Sequence, residues 1–468
     1  MRLRPLVACI ATVAILAPLA WFWRASLLPS SYSVMPVGHA GHEGHGRSVT
    51  MLTADLARPA DVSVTLVARK ERLRLASGRT MSGYTLNGQS PGPVIHADVG
   101  QLVQVRLVNE SVPDGVTLHW HGVDVPNAVD GVAGVTQDAV LAGHEFVYRF
   151  VPDRAGTFWY HSHQVSHEQV ASGLLGALIV GPSDNDVLAL VHLYGPARTV
   201  NGFEGSQNVT ARPGTRVRVR IINTDNGPMP VWVVGSPFRV VAVDGSDLHA
   251  PSMVRDVSLL VTAGARMDLE IVMPASPVRV QMGGATSIVL GSEPYDIPSA
   301  AKPPSTLDLL SYGMPAPLGF DPAKANKHFT YDIGRRPGFL DGTPGLWWTV
   351  NGRMFPDVPM FTVALGDIVR MTVSNNSGDV HPMHLHGHRA VVLARDGVAA
   401  TGSPWWVDSL NVGDGETYEI AFVANNPGIW MDHCHNLPHA GEGLVAHLMY
   451  EGISTPYTMG TQTGNNPE

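Results

Sequence analysis

The sequence predicts an all-β protein built of three consecutive β-sandwiches, and three observations carry that prediction. Glycine and proline together make up 85 of the 468 residues, about 18% against a usual 12% or so, which favours many turns and short strands over long helices. Hydrophobic residues account for 44% and charged residues for 15%, so sizeable cores can form and disorder is excluded for most of the length. The third observation is an internal repeat. Thr85-Leu86-Asn87-Gly88 leads through Val94, Ile95 and Gly100 to VQVRLVNES; Thr199-Val200-Asn201-Gly202 leads to Gly214 and VRVRIINTD; Thr349-Val350-Asn351-Gly352 leads to Gly366 and IVRMTVSNNS. In each copy Asn-Gly marks a tight turn, and a glycine opens a run whose apolar and polar residues alternate with period two, as in a strand that buries one face. Three such units in a row read as three sandwiches.

At the N-terminus, Arg2 and Arg4 precede an apolar run from Leu6 to Trp23, which Arg24 closes. This pattern reads as an export signal or membrane anchor over residues 1–28. The run is short of the roughly 20 residues of a comfortable span but longer than the usual 7–15-residue signal core, which leans toward retention as an anchor. Cys9 lies ahead of the apolar core and reads as a small apolar residue of the leader, so Cys434 has no disulfide partner. Residues 29–54 form a His- and Gly-rich linker, with His39, His42 and His45 in PVGHAGHEGHGR. That segment reads as flexible, or more sharply as a loose metal-capturing tether. The sandwiches are expected at 55–184, 185–312 and 325–460, with a linker at 313–324 ending a proline-rich stretch from Pro294 to Pro322 and a tail at 461–468. The net charge of −9 sits on no basic run, which excludes the electrostatic footprint of a nucleic-acid binder.

Four histidine clusters carry the chemistry: His119-Trp120-His121-Gly122, His161-Ser162-His163, His381-Pro382-Met383-His384-Leu385-His386, and His433-Cys434-His435 with His439 beyond. On a strand, residues i and i+2 share a face, so each His-x-His sends two imidazoles into one space. Two clusters lie in the first repeat and two in the third, so eight histidines can converge between those domains. A lone His-x-His is usually an ordinary hydrogen-bonded pair; four in one chain, one flanking the only cysteine of the body, are not accounted for that way. Imidazoles with a single thiolate point to copper, whereas zinc more usually recruits several cysteines or one compact cluster. His433 and His435 point away from the Cys434 side of the strand, so the backbone between them is a short covalent path for electrons.

These residues resemble the multicopper oxidase family, the laccases, ferroxidases and cuprous oxidases built of cupredoxin-like Greek-key β-sandwich domains. The resemblance runs from about Asp55 to Tyr450 and includes all four motifs in order, together with NGQSPGPVI, VVAVDGSDL, VTAGARMDLEIVM and NNPGIWMDHCHNLPH. It implies an oxidoreductase with four coppers per chain and dioxygen as acceptor. Carried over position by position, it makes His381, Cys434 and His439 the type 1 ligands, which receive electrons from the reductant. His119 and His384 would hold the type 2 copper, and His121, His161, His163, His386, His433 and His435 the type 3 pair.

The chain departs from the family pattern in two places. The axial position, ten residues after the cysteine, is Leu444, which offers no ligand atom; losing a thioether there implies a three-coordinate type 1 site with a raised reduction potential. The acid often found directly after the last type 1 histidine is replaced by Ala440, with Glu442 nearby. Asp130, in VPNAVDG, matches an acidic position that supports proton delivery, which a reaction consuming four protons requires; the plainer reading is an Asp-Gly turn. His144, His167, His192, His249, His328, His388 and His447 match no ligand position and read as surface or core histidines, and Met229, Met253, Met267, Met273 and Met282 as core fillers. The expected reductant is a phenol or aromatic amine, as in laccases, with Cu(I) or Fe(II) as the alternative. A non-enzymatic copper-binding envelope protein is the contrasting class, and a copper nitrite reductase is disfavoured by three repeats with Cys434 in the last. The expected location is outside the cytoplasm, in the cell envelope or secreted.

Overall fold

The computed structural model describes residues 3–35, 46–55, 57–284, 286–295 and 297–468; His39, His42 and His45 lie outside them. Strands dominate, and apart from a short two-stranded pairing their sheets fall along the chain in three pairs. The first pair, of four strands each, lies between Val62 and Val180; the second, of seven and five strands, between Asp186 and Gly291; the third, again of seven and five, between Lys327 and Tyr450.

The repeat seen in the sequence returns as a repeated register. Val62–Arg74 runs parallel to Val103–Asn109, Asp186–Tyr194 to Arg216–Asn223, and Lys327–Leu340 to Ile368–Asn375. Period-two alternation places Val103, Val105 and Leu107, and likewise Val369, Met371 and Val373, in the core, each burial contributing about 1.5–3 kcal/mol. Asn87, Asn201 and Asn351 take positive φ of 55°, 52° and 52°, each followed by a glycine also at positive φ, as a tight hairpin turn requires. Each of these side chains grips the neighbouring strand through both ends of its amide. Asn87 accepts from Val67 N and donates to Thr65 O, Asn201 does the same with Leu190 N and Leu188 O, and Asn351 with Asp332 N and Thr330 O.

A second asparagine recurs at the end of each alternating strand. Asn109, Asn223 and Asn375 are fully buried, and each donates to carbonyls of two separate segments. Asn109 reaches Val112 O and Val140 O, Asn223 reaches Gly227 O and Val261 O, and Asn375 reaches Asp379 O and Val412 O. Asn223 and Asn375 thereby pin one sheet of a sandwich to the other, since Val261 and Val412 lie in the opposite sheet, while Asn109 ties its strand end to two loop segments.

The leader is helical over Leu3–Ala25 and ends against the tip of a hairpin of the third sandwich, where Leu28 N donates to Asp341 Oδ1 and Gly342 N to Ser26 Oγ, both at 3.1 Å. Among the described residues no helix is long and apolar enough to cross a membrane. Downstream, Tyr32 bridges to Met459 and Arg47–Ser48 pairs with Ile453–Ser454, so the described parts of the segment before the first sandwich are strapped onto the chain's last residues. Of the methionines expected as core fillers, Met229, Met267, Met273 and Met282 are buried; Met253 is 44% exposed and is not a core residue, because it lies in the connector ahead of the Ser258–Val261 strand.

Replacing Asn223 by alanine removes its donations to Gly227 O, Val261 O and Thr262 O, a cost of about 2–4 kcal/mol. Scanning calorimetry of the Asn223→Ala chain is expected to show a transition lowered by several degrees, and an unshifted transition would contradict the pinning role.

Candidate metal centres

The His119–His121 strand pairs antiparallel with Gly156–His161, setting His119 opposite His161. His381–Leu385 pairs antiparallel with Ile429–Cys434, setting His384 opposite His433 and Met383 opposite Cys434. The His119–His121 strand buries Trp120, on its other face, in a sandwich core, which fixes its register and hence the direction of its two imidazoles. The first and third sandwiches are locked together by Asn127, which donates to Ile429 O at 2.9 Å and accepts from Ile429 N at 3.1 Å.

At that junction the eight histidines converge. His119, His121 and His384 form one group, His121, His161 and His435 a second, and His163, His386 and His433 a third; within each, the donor atoms lie within 4.8 Å of one another. Pairs of Nε2 atoms approach to 3.3 Å (His119 and His384), 3.4 Å (His163 and His433) and 3.2 Å (His386 and His433). The ring nitrogens His121 Nδ1, His161 Nε2, His163 Nδ1, His433 Nδ1 and both of His435 are buried with no hydrogen-bond partner. The Nε2 atoms that approach one another, together with the orphaned nitrogens of His121, His161 and His435 that meet in the second group, are a buried donor set for metal cations, and the site fits copper on that ground.

Burial first, and the neighbouring imidazoles second, hold His121, His163, His384 and His386 well below the usual histidine value, which keeps them in the neutral, ligating form. Hydrogen bonds select which nitrogen faces inward. His119 Nδ1 donates to Asp130 O at 2.9 Å, His384 Nδ1 to Asp408 O at 2.8 Å and His386 Nδ1 to Asp130 Oδ2 at 2.9 Å, leaving each Nε2 free. His121 is turned the other way. Its Nε2 lies 3.0 Å from Ser409 Oγ and 3.2 Å from Asp408 Oδ1, so Nδ1 is presented.

A separate group joins His381, Cys434 and His439. Cys434 Sγ lies 3.5 Å from His381 Nδ1 and 3.8 Å from His439 Nδ1. Burial pushes the Cys434 thiol up; a bound cation reverses that and takes the thiolate. Leu444 is fully buried, and its carbonyl accepts from Cys434 N at 3.1 Å. His439 is half-buried. Trp348 covers this group with ring centroids 4.6 Å from His381 and 4.4 Å from His439, and its indole N–H donates to Glu442 Oε2 at 2.7 Å. Glu442 therefore stands, through Trp348, beside the His381–Cys434–His439 group.

Several residues at the site escaped the reading of the sequence. Asp408, which contacts His121 and His384, is held by a fully buried Arg266 through contacts of 2.6 and 2.5 Å. Asp244 accepts from Arg266 N, Asp408 N and Ser409 N; burial and the neighbouring Asp408 push its carboxyl up to about 7. A charge at alternate position in the apolar run of PWWVDSLNV was the available signal for Asp408; Trp348 carried none.

Two multicopper oxidase family models match the chain, at residues 68–185 and 321–452. Laccase-1 of Botryotinia fuckeliana is 27% identical over 82% of this chain and 82% of its own length. The multicopper oxidase MmcO of Mycobacterium tuberculosis is 26% identical over 86% and 91%. Among solved structures, a multi-copper oxidase from Pseudomonas thermotolerans is 25% identical, covering 84% of this chain and all of that one at a TM-score of 0.67. The sandwiches are accordingly cupredoxin-like.

Replacing Arg266 by leucine leaves Asp408 buried and uncompensated, a cost of about 3–5 kcal/mol. The Arg266→Leu chain is expected to lose copper from the eight-histidine junction while keeping the intense blue absorption of the Cys434 group; full copper content by elemental analysis would contradict this.

Proposed function

The chain belongs to the multicopper oxidase family, and from that premise we propose that it couples four one-electron oxidations of a small reductant to the reduction of dioxygen to two waters, in a laccase-like reaction. The residues above fit four coppers: type 1 on His381, Cys434 and His439, type 2 on His119 and His384, and the type 3 pair on His121, His161 and His435 and on His163, His386 and His433. When bound, these metals supply the one-electron redox chemistry that side chains lack.

The chain's own residues supply the rest. Trp348 packs over His381 and His439 and keeps water from the thiolate. Cys434 stands between His433 and His435, which belong to two different histidine groups, so the strand links the reductant's site to both. Leu444 is buried and offers no ligand atom, so a copper held by His381, Cys434 and His439 would lack a thioether donor from this residue, which would favour its reduced state and a high potential. Asp130 holds the His386 Nδ1 proton at Oδ2, while its Oδ1 has no hydrogen-bond partner, an arrangement suited to passing protons to oxygen as it is reduced. The observation that carries the reading is this placement of one cysteine between two ligands of separate buried histidine groups.

A metal-ion reductant, Cu(I) or Fe(II), is the second reading, favoured by the carboxylates Glu442 and Asp379, whose fields both act on His439. The basic-flanked apolar leader supports export, with attachment through residues 3–25 as its finer form; fractionation of cells producing the full chain tests both.

The copper-loaded chain is expected to hold about four coppers and to consume oxygen with a dimethoxyphenol, with Fe(II) and Cu(I) measured alongside after correction for autoxidation. No uptake with any of the three would overturn the function. Glu442→Gln is expected to lower kcat/KM for Fe(II) by about tenfold and for the phenol by less than about twofold if a cation is the reductant; equal effects on both remove the second reading. Leu444→Met is expected to lower the type 1 reduction potential, and Asp130→Asn to slow oxygen reduction with reduction of type 1 intact.

A further inference from the structure

A cavity of about 600 Å³ opens at the edge of the third sandwich, lined among others by Tyr32, Met35, Phe355, Met360, His447 and Met459. Met459 also packs against Gly134 of the first sandwich, so the cavity lies beside the first sandwich as well as the third. His447 forms part of its wall. It is 4% exposed, and its Nε2 has no hydrogen-bond partner. No ligand position accounts for it.

Strand register shows where this imidazole leads. Met360 is paired with His447 on one side and Met431 with His447 on the other, while His386 N donates to Met431 O at 3.0 Å. Directly paired residues of adjacent strands project from the same face. Met360, His447, Met431 and His386 thus make a row across the sheet, with the cavity at one end and a type 3 ligand at the other. His447 is near enough to His433 for their charges to interact.

Reduction of one dioxygen takes up four protons with four electrons. Asp130 serves the side of the cluster formed by His119 and His386. Around the last type 1 histidine, Leu437 and Ala440 are buried and neither side chain carries a proton. We propose that His447 is a proton-relay residue joining the cavity to the type 3 pair, an inference that rests on the function proposed above. One ring nitrogen takes a proton from cavity water, the other releases its own toward the oxygen being reduced, and exchange of the tautomer resets the ring. No electron passes through it; electrons come from the reductant through Cys434. Burial holds the imidazole down at about 4, so it rests neutral and is emptied after each transfer.

The test uses the full copper-loaded chain. Diethyl pyrocarbonate with peptide mass mapping is expected to modify His447 in the wild type and to spare it in Met360→Trp, which fills the cavity. In single-turnover mixing with dioxygen, His447→Phe is expected to slow re-oxidation of type 1 by at least about tenfold and to raise its solvent deuterium isotope effect, with reduction of type 1 within about twofold of wild type. Met360→Trp is expected to slow re-oxidation in the same sense with His447 still present, and decides the matter if His447→Phe fails to hold copper. Wild-type re-oxidation in either copper-replete variant, or an unreactive His447 in the wild type, overturns the relay. Failure of the functional reading is seen separately, as absence of oxygen uptake by the wild-type chain.

Discussion

The ion pair between Arg266 and Asp408 is the contact on which the arrangement of the site depends. Arg266 belongs to the middle sandwich, Asp408 to the third, and Arg266 Nε also donates to Thr157 O of the first at 3.1 Å. Both side chains are fully buried. Such a pair adds little net stability, but losing one partner is costly, so its effect is to hold three domains in one relative placement. That placement positions the Asp408 carbonyl and carboxylate on His384 and His121. Two glycines record how tightly the pair is enclosed. A Cβ on Gly122 would lie 2.1 Å from Arg266 Nη2, and one on Gly264 would lie 2.8 Å from His121 Cε1, both at positive φ.

The middle sandwich thus contributes no ligand candidate yet governs the ligands of its neighbours. Thr157 of the first domain is held to it by Asp268, which accepts from Thr157 Oγ1 at 2.8 Å, and by Arg220, whose Nη1 donates to the same hydroxyl at 2.8 Å. In this scheme the reductant's electrons and the protons for oxygen approach the junction from different sides. The Trp348 and Glu442 face receives the electrons, while Asp130 stands at the junction itself. Separation of the two paths follows from the alternation of a single strand, Ile429–Cys434, whose cysteine and histidines point to opposite faces.

Local pattern carried much of this in the sequence. The Asn-Gly turns, the alternating strands and the His-x-His pairs are short-range features, and they sit in the structure on strands and turns or, for His163, His386 and His435, just past a strand's end. The ligand candidates are brought close to one another because a two-residue spacing on a strand leaves little freedom. What was not legible depends on contacts distant in the chain. Arg266 and Asp408 are 142 residues apart, and nothing local in VTAGARMDLEIVM distinguishes a buried arginine from a surface one. Glu442 lies near His439 in sequence, yet its partner is Trp348, which is 94 residues away. His447 read as a core histidine, which it is, but its position in a row of paired residues appears only once three strands are in register. Met253 looked apolar enough for the core and was placed outside it by the connector that carries it.

In the proposed reaction electrons reach the eight-histidine junction only through Cys434. The most direct test is the Cys434→Ser chain, with copper counted by elemental analysis and oxygen uptake followed with the best reductant of the wild type. This chain is expected to lose the blue absorption and one copper, to retain the other three, and to consume no oxygen. Oxygen uptake at the wild-type rate with those three coppers would contradict a path through Cys434.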